Sequence, residues 1–345
     1  MNLLHFTAGY VPGIPTEAIA WHTLVYGARG TKLEVKVPTL TPAQILEVTQ
    51  TVRTATQTQI KNMAVFEIVR AVDLAILKLL DINHPDRKSL DALLPIATGM
   101  DPTMLQHNFS HYLKTFRSLQ LNRFIAEDFG NSQLLDAFQP RVTGGWTKAT
   151  GADLITHVWA GNVPGLPLWS LISGLLVKAG TVGKVSGAEP ICASVFAKVL
   201  VDIEPRLANC LSIIWWPTED TQTARQVFQL SDIVLAYGGN DALAAIQSQV
   251  PVTTRFLPHG HKISFAVVTS YALSVVRAKH IAKLAALDIA RYEQQGCYSP
   301  QMFYVERGAQ VSPQEFAQLL ASELAGLAHK YPRSDMTLKE KTNIL

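Results

Sequence analysis

Cys297 is the residue with the greatest chemical reach in this 345-residue sequence. It lies in Tyr292-Glu293-Gln294-Gln295-Gly296-Cys297-Tyr298-Ser299, between a long helical stretch and the apolar run Met302-Phe303-Tyr304-Val305. A thiol at such a helix-to-strand turn suits nucleophilic chemistry that passes an acyl group through a thioester. A single cysteine is also commonly an inert core residue, so the reading depends on what else joins it.

Three other turns carry groups that could join it. Ala160-Gly161-Asn162-Val163-Pro164 follows an apolar run. There Gly161 permits close backbone approach, and the Asn162 amide can donate to a developing oxyanion. Asn162 can equally close a turn or cap a helix. Lys184-Val185-Ser186-Gly187-Ala188-Glu189-Pro190 ends a second apolar run. An unpaired ammonium is costly to bury, so Lys184 is placed to meet a nucleotide hydroxyl or phosphate. A lysine whose stem snorkels at a strand end looks the same in sequence. Tyr237-Gly238-Gly239-Asn240-Asp241 leads glycines into a helix start, a phosphate-binding geometry that a generic turn also produces. His259-Gly260-His261 has no supporting carboxylate or Cys and makes a poor metal site, so no metal is expected. The chain contains no G-x-G-x-x-G, Walker A, H-E-x-x-H or G-x-S-x-G pattern.

The elements that must position these turns are legible as texture. Residues 1 to about 40 read as irregular, with Leu33-Glu34-Val35-Lys36-Val37 as a short strand. From Thr41 to about Gly130 the spacing is helical. Thr41-Pro42 and Asp101-Pro102 are helix starts, and Val65, Ile68, Val69, Val72, Ile76, Leu79 and Leu80 form one apolar face. From about Ala152 short apolar strands alternate with helices. The strands are Leu154 to Trp159, Thr181 to Val185, Leu211 to Trp216, Asp232 to Ala236, Thr253 to Leu257 and Lys262 to Val268. Continuous apolar strands between helices imply an α/β fold: a parallel Rossmann-type sheet with helices on both faces and a helical N-terminal part. A long helix over Tyr271 to Gln294 is expected to present Cys297 beyond its C-terminal end. A last helix covers about Pro313 to His329, and a solvated tail follows. The expected division is an N-terminal strand and helical subdomain (1–150), a nucleotide-binding α/β domain (151–270), and the start of a catalytic domain with the cysteine (271–345).

Composition narrows the function classes. Hydrophobic residues make up 48% and charged residues 17%, which excludes global disorder. A net charge of +3 without a Lys/Arg run disfavours nucleic-acid binding. Cys192, Cys210 and Cys297 are too few for a disulfide framework, which points to a reducing, cytoplasmic setting. No secretory signal is evident. The apolar stretch Val163 to Val177 is interrupted by Pro and Gly and is too short to span a bilayer, so it reads as a buried helix.

Taken in order, these segments resemble the acyl-CoA reductase family of the bacterial-luminescence (LuxC) type, a branch of the aldehyde dehydrogenase superfamily. The resemblance rests on Ala160 to Pro164, the Lys184 turn through Pro190, and Leu211 to Pro217. It continues through Asp232 to Ala242 with its Tyr-Gly-Gly core, Gly260 to Val268, and Tyr292 to Phe303 around Cys297. It implies an aldehyde dehydrogenase-like fold. It also implies that Cys297 takes the acyl group as a thioester while Asn162 and the Cys backbone N–H steady the oxyanion. Lys184 and Ser186 would meet the adenosine ribose or its 2′-phosphate, and Gly238 and Gly239 the pyrophosphate.

Two departures refine the expectation. Ordinary aldehyde dehydrogenases place a water-activating glutamate just before a Gly-Gly-Lys run; here Leu257-Pro258-His259-Gly260-His261-Lys262 has none. A thioester without that base outlives hydrolysis and meets hydride instead, as suits a reductase making aldehyde. NAD-preferring relatives often carry a glutamate three residues after the lysine; here Gly187 leaves room for a 2′-phosphate, so NADPH is expected. Family members continue well past the cysteine, so the C-terminal catalytic domain is expected to be incomplete. The expected function is reduction of a fatty acyl thioester to fatty aldehyde. The expected partners are the acyl thioester, an acyl-protein synthetase subunit, and further copies in an oligomer. The alternatives are a non-catalytic nucleotide- or partner-binding remnant and an aldehyde dehydrogenase working oxidatively.

Overall fold

The computed structural model describes residues 2–332. The chain opens with a three-stranded sheet of β1 (Asn2–Thr7), β2 (Ala20–Ala28) and β3 (Thr31–Thr39) in the order β1-β3-β2. β2 and β3 form a hairpin whose central residues, Arg29 and Gly30, both have positive φ, as primed turns require. This corrects the expectation of an irregular N-terminus with one strand. β1 and β2 keep much of their surface exposed, so their alternation is blurred by polar and small residues. The segment after β1 docks on the edge of the main sheet, where Tyr10 and Ile213 exchange backbone hydrogen bonds at 2.9 and 2.7 Å.

Five helices follow: α1 (Pro42–Thr58), α2 (Val65–Leu80), α3 (Pro85–Thr98), α4 (Pro102–Leu113) and α5 (Ser118–Phe129). Thr41 caps α1 in a reciprocal box with Gln44, and Asp101 caps α4 through the N–H groups of Thr103 and Met104. Gln139–Pro140 (β4) and Trp146–Thr147 (β5) make a two-residue antiparallel pair.

The central sheet is parallel throughout. Its strands are β6 (Leu154–Val158), β7 (Gly180–Lys184), β8 (Leu211–Ile214), β9 (Ile233–Tyr237) and β10 (Arg255–His259), joined by α6 (Leu166–Leu176), α7 (Ile191–Ile203), α8 (Thr221–Gln229) and α9 (Asn240–Gln247). The order β10-β9-β6-β7-β8 reverses at β6, so a crevice opens beyond the C-terminal ends of β6 and β9, where open α/β sheets bind ligands. α6 is buried along most of its length, as its predominantly apolar sequence requires. Among the described residues no helix is long and apolar enough to cross a membrane.

A second α/β unit carries Cys297. β11 (Ser264–Val268) pairs in parallel with β12 (Pro300–Val305), and α10 (Val275–Ala290) lies in the crossover between them. α11 (Pro313–Lys330) adds Phe316 to a small core with Leu273, Ala278 and Ala282. The long helix expected over Tyr271 to Gln294 stops at Ala290. Tyr292, Glu293 and Gln294 then adopt positive φ (52°, 54° and 61°), a run that periodicity cannot announce because left-handed residues leave the apolar spacing intact. The expected tail beyond α11 falls largely outside the described residues.

Candidate active site

Cys297 is exposed, whereas Cys192 and Cys210 are buried in the core. Its loop is clamped on two sides. The Asn162 side-chain amide, from the turn after β6, donates to the Gln295 carbonyl at 2.6 Å. The Ser264 hydroxyl, at the start of β11, donates to the Cys297 carbonyl at 2.6 Å. Gln294 adds a bond from Nε2 to the Pro300 carbonyl at 3.1 Å. The structure therefore brings Asn162 and the thiol loop together, and it shows that amide engaged by a loop carbonyl.

The turns around the crevice abut one another. A Cβ on Gly161 would lie 2.7 Å from both Ser186 Oγ and Ala188 Cβ, so only glycine lets the first and second turns touch. The sequence reading assigned this freedom to ligand approach; here it serves turn-to-turn packing. Ser186 Oγ accepts from the Ala188 N–H at 3.1 Å, closing its turn. Lys184 ends β7 with Nζ 5.7 Å from the centre of the Trp216 ring. Burial pushes the Lys184 ammonium down from its ordinary range, and Glu219 partly restores it. Glu189 turns inward, accepting from the N–H groups of Ile191 and Cys192, both at 2.8 Å, at the start of α7. The Gly187 carbonyl is taken by the Tyr26 hydroxyl of β2 at 2.7 Å.

On the other side of the crevice, Gly238 donates to the His259 carbonyl at 3.3 Å, and Gly239 precedes α9 with no atom within 4 Å of where a Cβ would stand. An open glycine turn at the start of a helix is a geometry that can take a phosphate. His259 stacks on Tyr237 at 4.8 Å between ring centroids.

Sequence reasoning missed a group of tyrosines at the thiol loop. Tyr292 and Tyr298 meet edge to face at 6.2 Å. With Asn108, His111, Tyr112 and Arg291 they line a cavity of about 210 Å³. Thr115 also lines a second cavity of about 250 Å³, walled by Phe116, Leu121, Phe124, Trp169 and Ile172 with Gln120, Arg123 and Glu127. Burial raises the phenols of Tyr112, Tyr237, Tyr292 and Tyr298. Only Tyr298, beside Cys297, and Tyr237, beside Gly238, had a signal in sequence.

Comparison with known proteins places this geometry. The profile of the family described as "Acyl-CoA reductase (LuxC)" matches residues 60–345. A long-chain acyl-protein thioester reductase of Photorhabdus laumondii subsp. laumondii is 29% identical over 220 residues, which cover 63% of this chain and 44% of the relative. The protein of the same description from Photobacterium phosphoreum is 27% identical over 251 residues, covering 71% of this chain and 49% of the relative. The matches thus span less than half of these relatives' length. Among solved structures, the aldehyde dehydrogenase KauB from Pseudomonas aeruginosa superposes with a TM-score of 0.71 at 15% identity, over 93% of this chain and 62% of that one. Lactaldehyde dehydrogenase from Escherichia coli superposes with a TM-score of 0.66 at 14% identity, over 94% and 64%. The fold is aldehyde dehydrogenase-like.

Proposed function

Because the chain belongs to the acyl-CoA reductase (LuxC) family, we propose that it reduces a fatty acyl thioester to the aldehyde with NADPH, through an acyl-cysteine on Cys297. The observation that carries this reading is the Asn162–Gln295 hydrogen bond, which draws the loop of an exposed thiol to the reversal point of a parallel sheet.

In this mechanism the Cys297 sulfur adds to the thioester carbonyl. The Asn162 amide and the Cys297 N–H face the oxygen as it gains charge, and the donor thiol leaves. A nicotinamide held in the crevice would supply the hydride that releases aldehyde. The loop from Leu257 to Lys262 offers no carboxylate to activate water, and His259 is held in its stack on Tyr237, which favours survival of the acyl-enzyme. Lys184 and Ser186 are the groups on the ribose side, and Gly238 and Gly239 those beside the pyrophosphate. Gly187 replaces a ribose-gripping carboxylate, and Glu189 is engaged at α7, which supports NADPH over NADH. The cavity lined by Tyr112, Tyr292 and Tyr298 lies beside the thiol loop and offers room for part of the acyl chain.

Residues 151–270 hold the cofactor in this reading, and the region from 271 onward brings the nucleophile. The names of the relatives favour an acyl-protein donor. We extend the proposal to a partner synthetase that supplies the acyl group, a cytoplasmic setting and an oligomeric reductase. Incubation with a radiolabelled long-chain acyl thioester tests the scheme. Label is expected on Cys297 and its release as aldehyde on adding NADPH; a Cys297→Ser variant that acylates as fully as wild type overturns it. The alternative, a nucleotide- or partner-binding protein without turnover, predicts NADPH binding with no aldehyde in the same assay.

A further inference from the structure

Asn108 is out of place on α4. The buried face of that helix is otherwise Leu105, Phe109 and Leu113, and Asn108 is only 5% exposed. Asparagine is a poor helix former, and its amide costs free energy when it is buried without a partner. Thr56 and Ser194 show how a buried helical polar group is usually satisfied: they donate to the Val52 and Pro190 carbonyls at 2.7 and 2.9 Å. Among the described residues the Asn108 side chain makes no hydrogen bond.

The partner it lacks has a place to come from. Asn108 lines the cavity of about 210 Å³ beside the thiol loop, together with Arg291, Tyr292 and Tyr298 of that loop. The ring nitrogens of His157 are also without partners, but they are sealed inside the protein; the Asn108 amide is not sealed in this way and keeps some accessible surface. The cavity has the volume of about seven waters at ~30 Å³ each, enough for a short run of chain with one oxygen on it.

The chemistry of the occupant follows from the amide. Plain hydrocarbon would strip the Asn108 amide of water and return nothing, which is how a polar site rejects an apolar analogue. A carboxylate meets only the donor end of an amide, whereas a hydroxyl accepts from its N–H and donates to its carbonyl. The guanidinium of the lining, Arg291, is 29% exposed and has Asp288 at 3.4 Å, so no uncompensated charge calls for an anion.

We propose that Asn108 is a specificity-determining residue that holds a hydroxyl group of the acyl chain in this cavity, so that hydroxylated acyl thioesters are preferred to plain ones. The proposal deepens the proposed reaction and rests on the reading that the acyl chain enters this cavity.

The test is calorimetric binding of octanamide and its monohydroxy isomers to the full chain. These amides mimic the acyl group and do not acylate a thiol. At least one isomer is expected to bind about tenfold more tightly than octanamide. In Asn108→Leu the preference is expected to shrink to about twofold or less, with the urea-unfolding midpoint level or raised because an unpaired buried amide is gone. If Asn108→Leu overpacks and does not fold, Asn108→Ala carries the same expectation for the preference. Equal binding of octanamide and every isomer by wild type, binding of none of them, or a preference that survives in the variant overturns the proposal. A lowered midpoint in both variants marks a structural role for Asn108 and overturns it too. Binding needs no nucleophile, so failure here is distinct from failure of the Cys297→Ser acylation test.

Discussion

The Asn162 side-chain amide reaches across 133 residues of sequence to the Gln295 carbonyl, 2.6 Å away and two residues before the Cys297 thiol. That carbonyl follows three consecutive non-glycine residues in the left-handed region, a conformation that costs on the order of 1–3 kcal/mol at each position unless its surroundings hold it. Asn162, Gln294 and Ser264 together supply that hold. The amide therefore has two tasks. It anchors the loop in the free protein, and in the proposed reaction it turns to the thioester oxygen.

Replacing Asn162 by Ala should fail at both tasks. Loss of one oxyanion donor lowers the acylation rate by roughly 10²–10³. Loss of the anchor should speed amide hydrogen exchange over residues 291–298. Single-turnover acylation and exchange mass spectrometry read the two effects on the same variant. Normal acylation with faster exchange would reduce Asn162 to an anchor alone.

Lys184→Gln tests the cofactor assignment. A charge-assisted contact to a 2′-phosphate is worth about 1.5–3 kcal/mol, so NADPH should bind roughly ten- to a hundredfold more weakly while NADH affinity stays nearly level. The wild-type protein adds a pH signature. Burial lowers the Lys184 pKa, so the ammonium is present below that value and lost as pH rises through it. NADPH affinity should fall at high pH, and in Lys184→Gln it should not. Fluorescence titration of both cofactors checks this, and equal losses for NADH and NADPH would refute it.

Gly161→Ala should damage both the fold and the cofactor crevice. Its new methyl would meet Ser186 Oγ and Ala188 Cβ at 2.7 Å, so one of the two turns must move. Overpacking of this kind costs about 1–3 kcal/mol. Urea unfolding should show the loss, and weaker NADPH binding should accompany it because Ser186 lies on the displaced turn. A variant with unchanged midpoint and affinity would mean the turns slide apart freely.

These three predictions draw on residues that were visible in sequence, and the reason is local. Lys184 ends an apolar strand and Gly161 and Asn162 lie in the turn just beyond another, and strand ends in a parallel sheet are where chemistry collects. The sheet itself was legible because α6 and β6 to β9 are apolar runs of distinct length. β1 and β2 were not, because half-exposed strands lose their alternation. The kink at Tyr292 to Gln294 was hidden because nothing in residue type forbids helix there. Tyr112 was missed because it reaches the cavity at the thiol loop from α4, far away in sequence. Arg87 makes the same point elsewhere: a fully buried arginine on α3, it pairs with Asp91 at i,i+4 spacing, but the Leu79 carbonyl and Ser110 that complete its bonds at 2.8 and 2.7 Å come from other elements that no spacing announces.

His157 gives the fold a predictable acid sensitivity. It is the fourth residue of β6, 1% exposed, with its ring near that of Trp159, and neither ring nitrogen has a partner among the described residues. Burial alone pushes its pKa down to about 3 from 6.5. The folded protein thus keeps His157 neutral where the unfolded chain would protonate it. Its contribution to stability is fully present above pH 6.5 and is lost progressively as pH falls toward 3. The size is on the order of a few kcal/mol across that window. His157→Leu stays closer in volume and has nothing to protonate. Its urea-unfolding free energy should match or exceed wild type at pH 7, because two unsatisfied nitrogens are gone, and should fall less between pH 7 and pH 4.5. Parallel pH profiles for the two proteins would show that other groups carry the acid sensitivity and that His157 finds a partner when it is protonated.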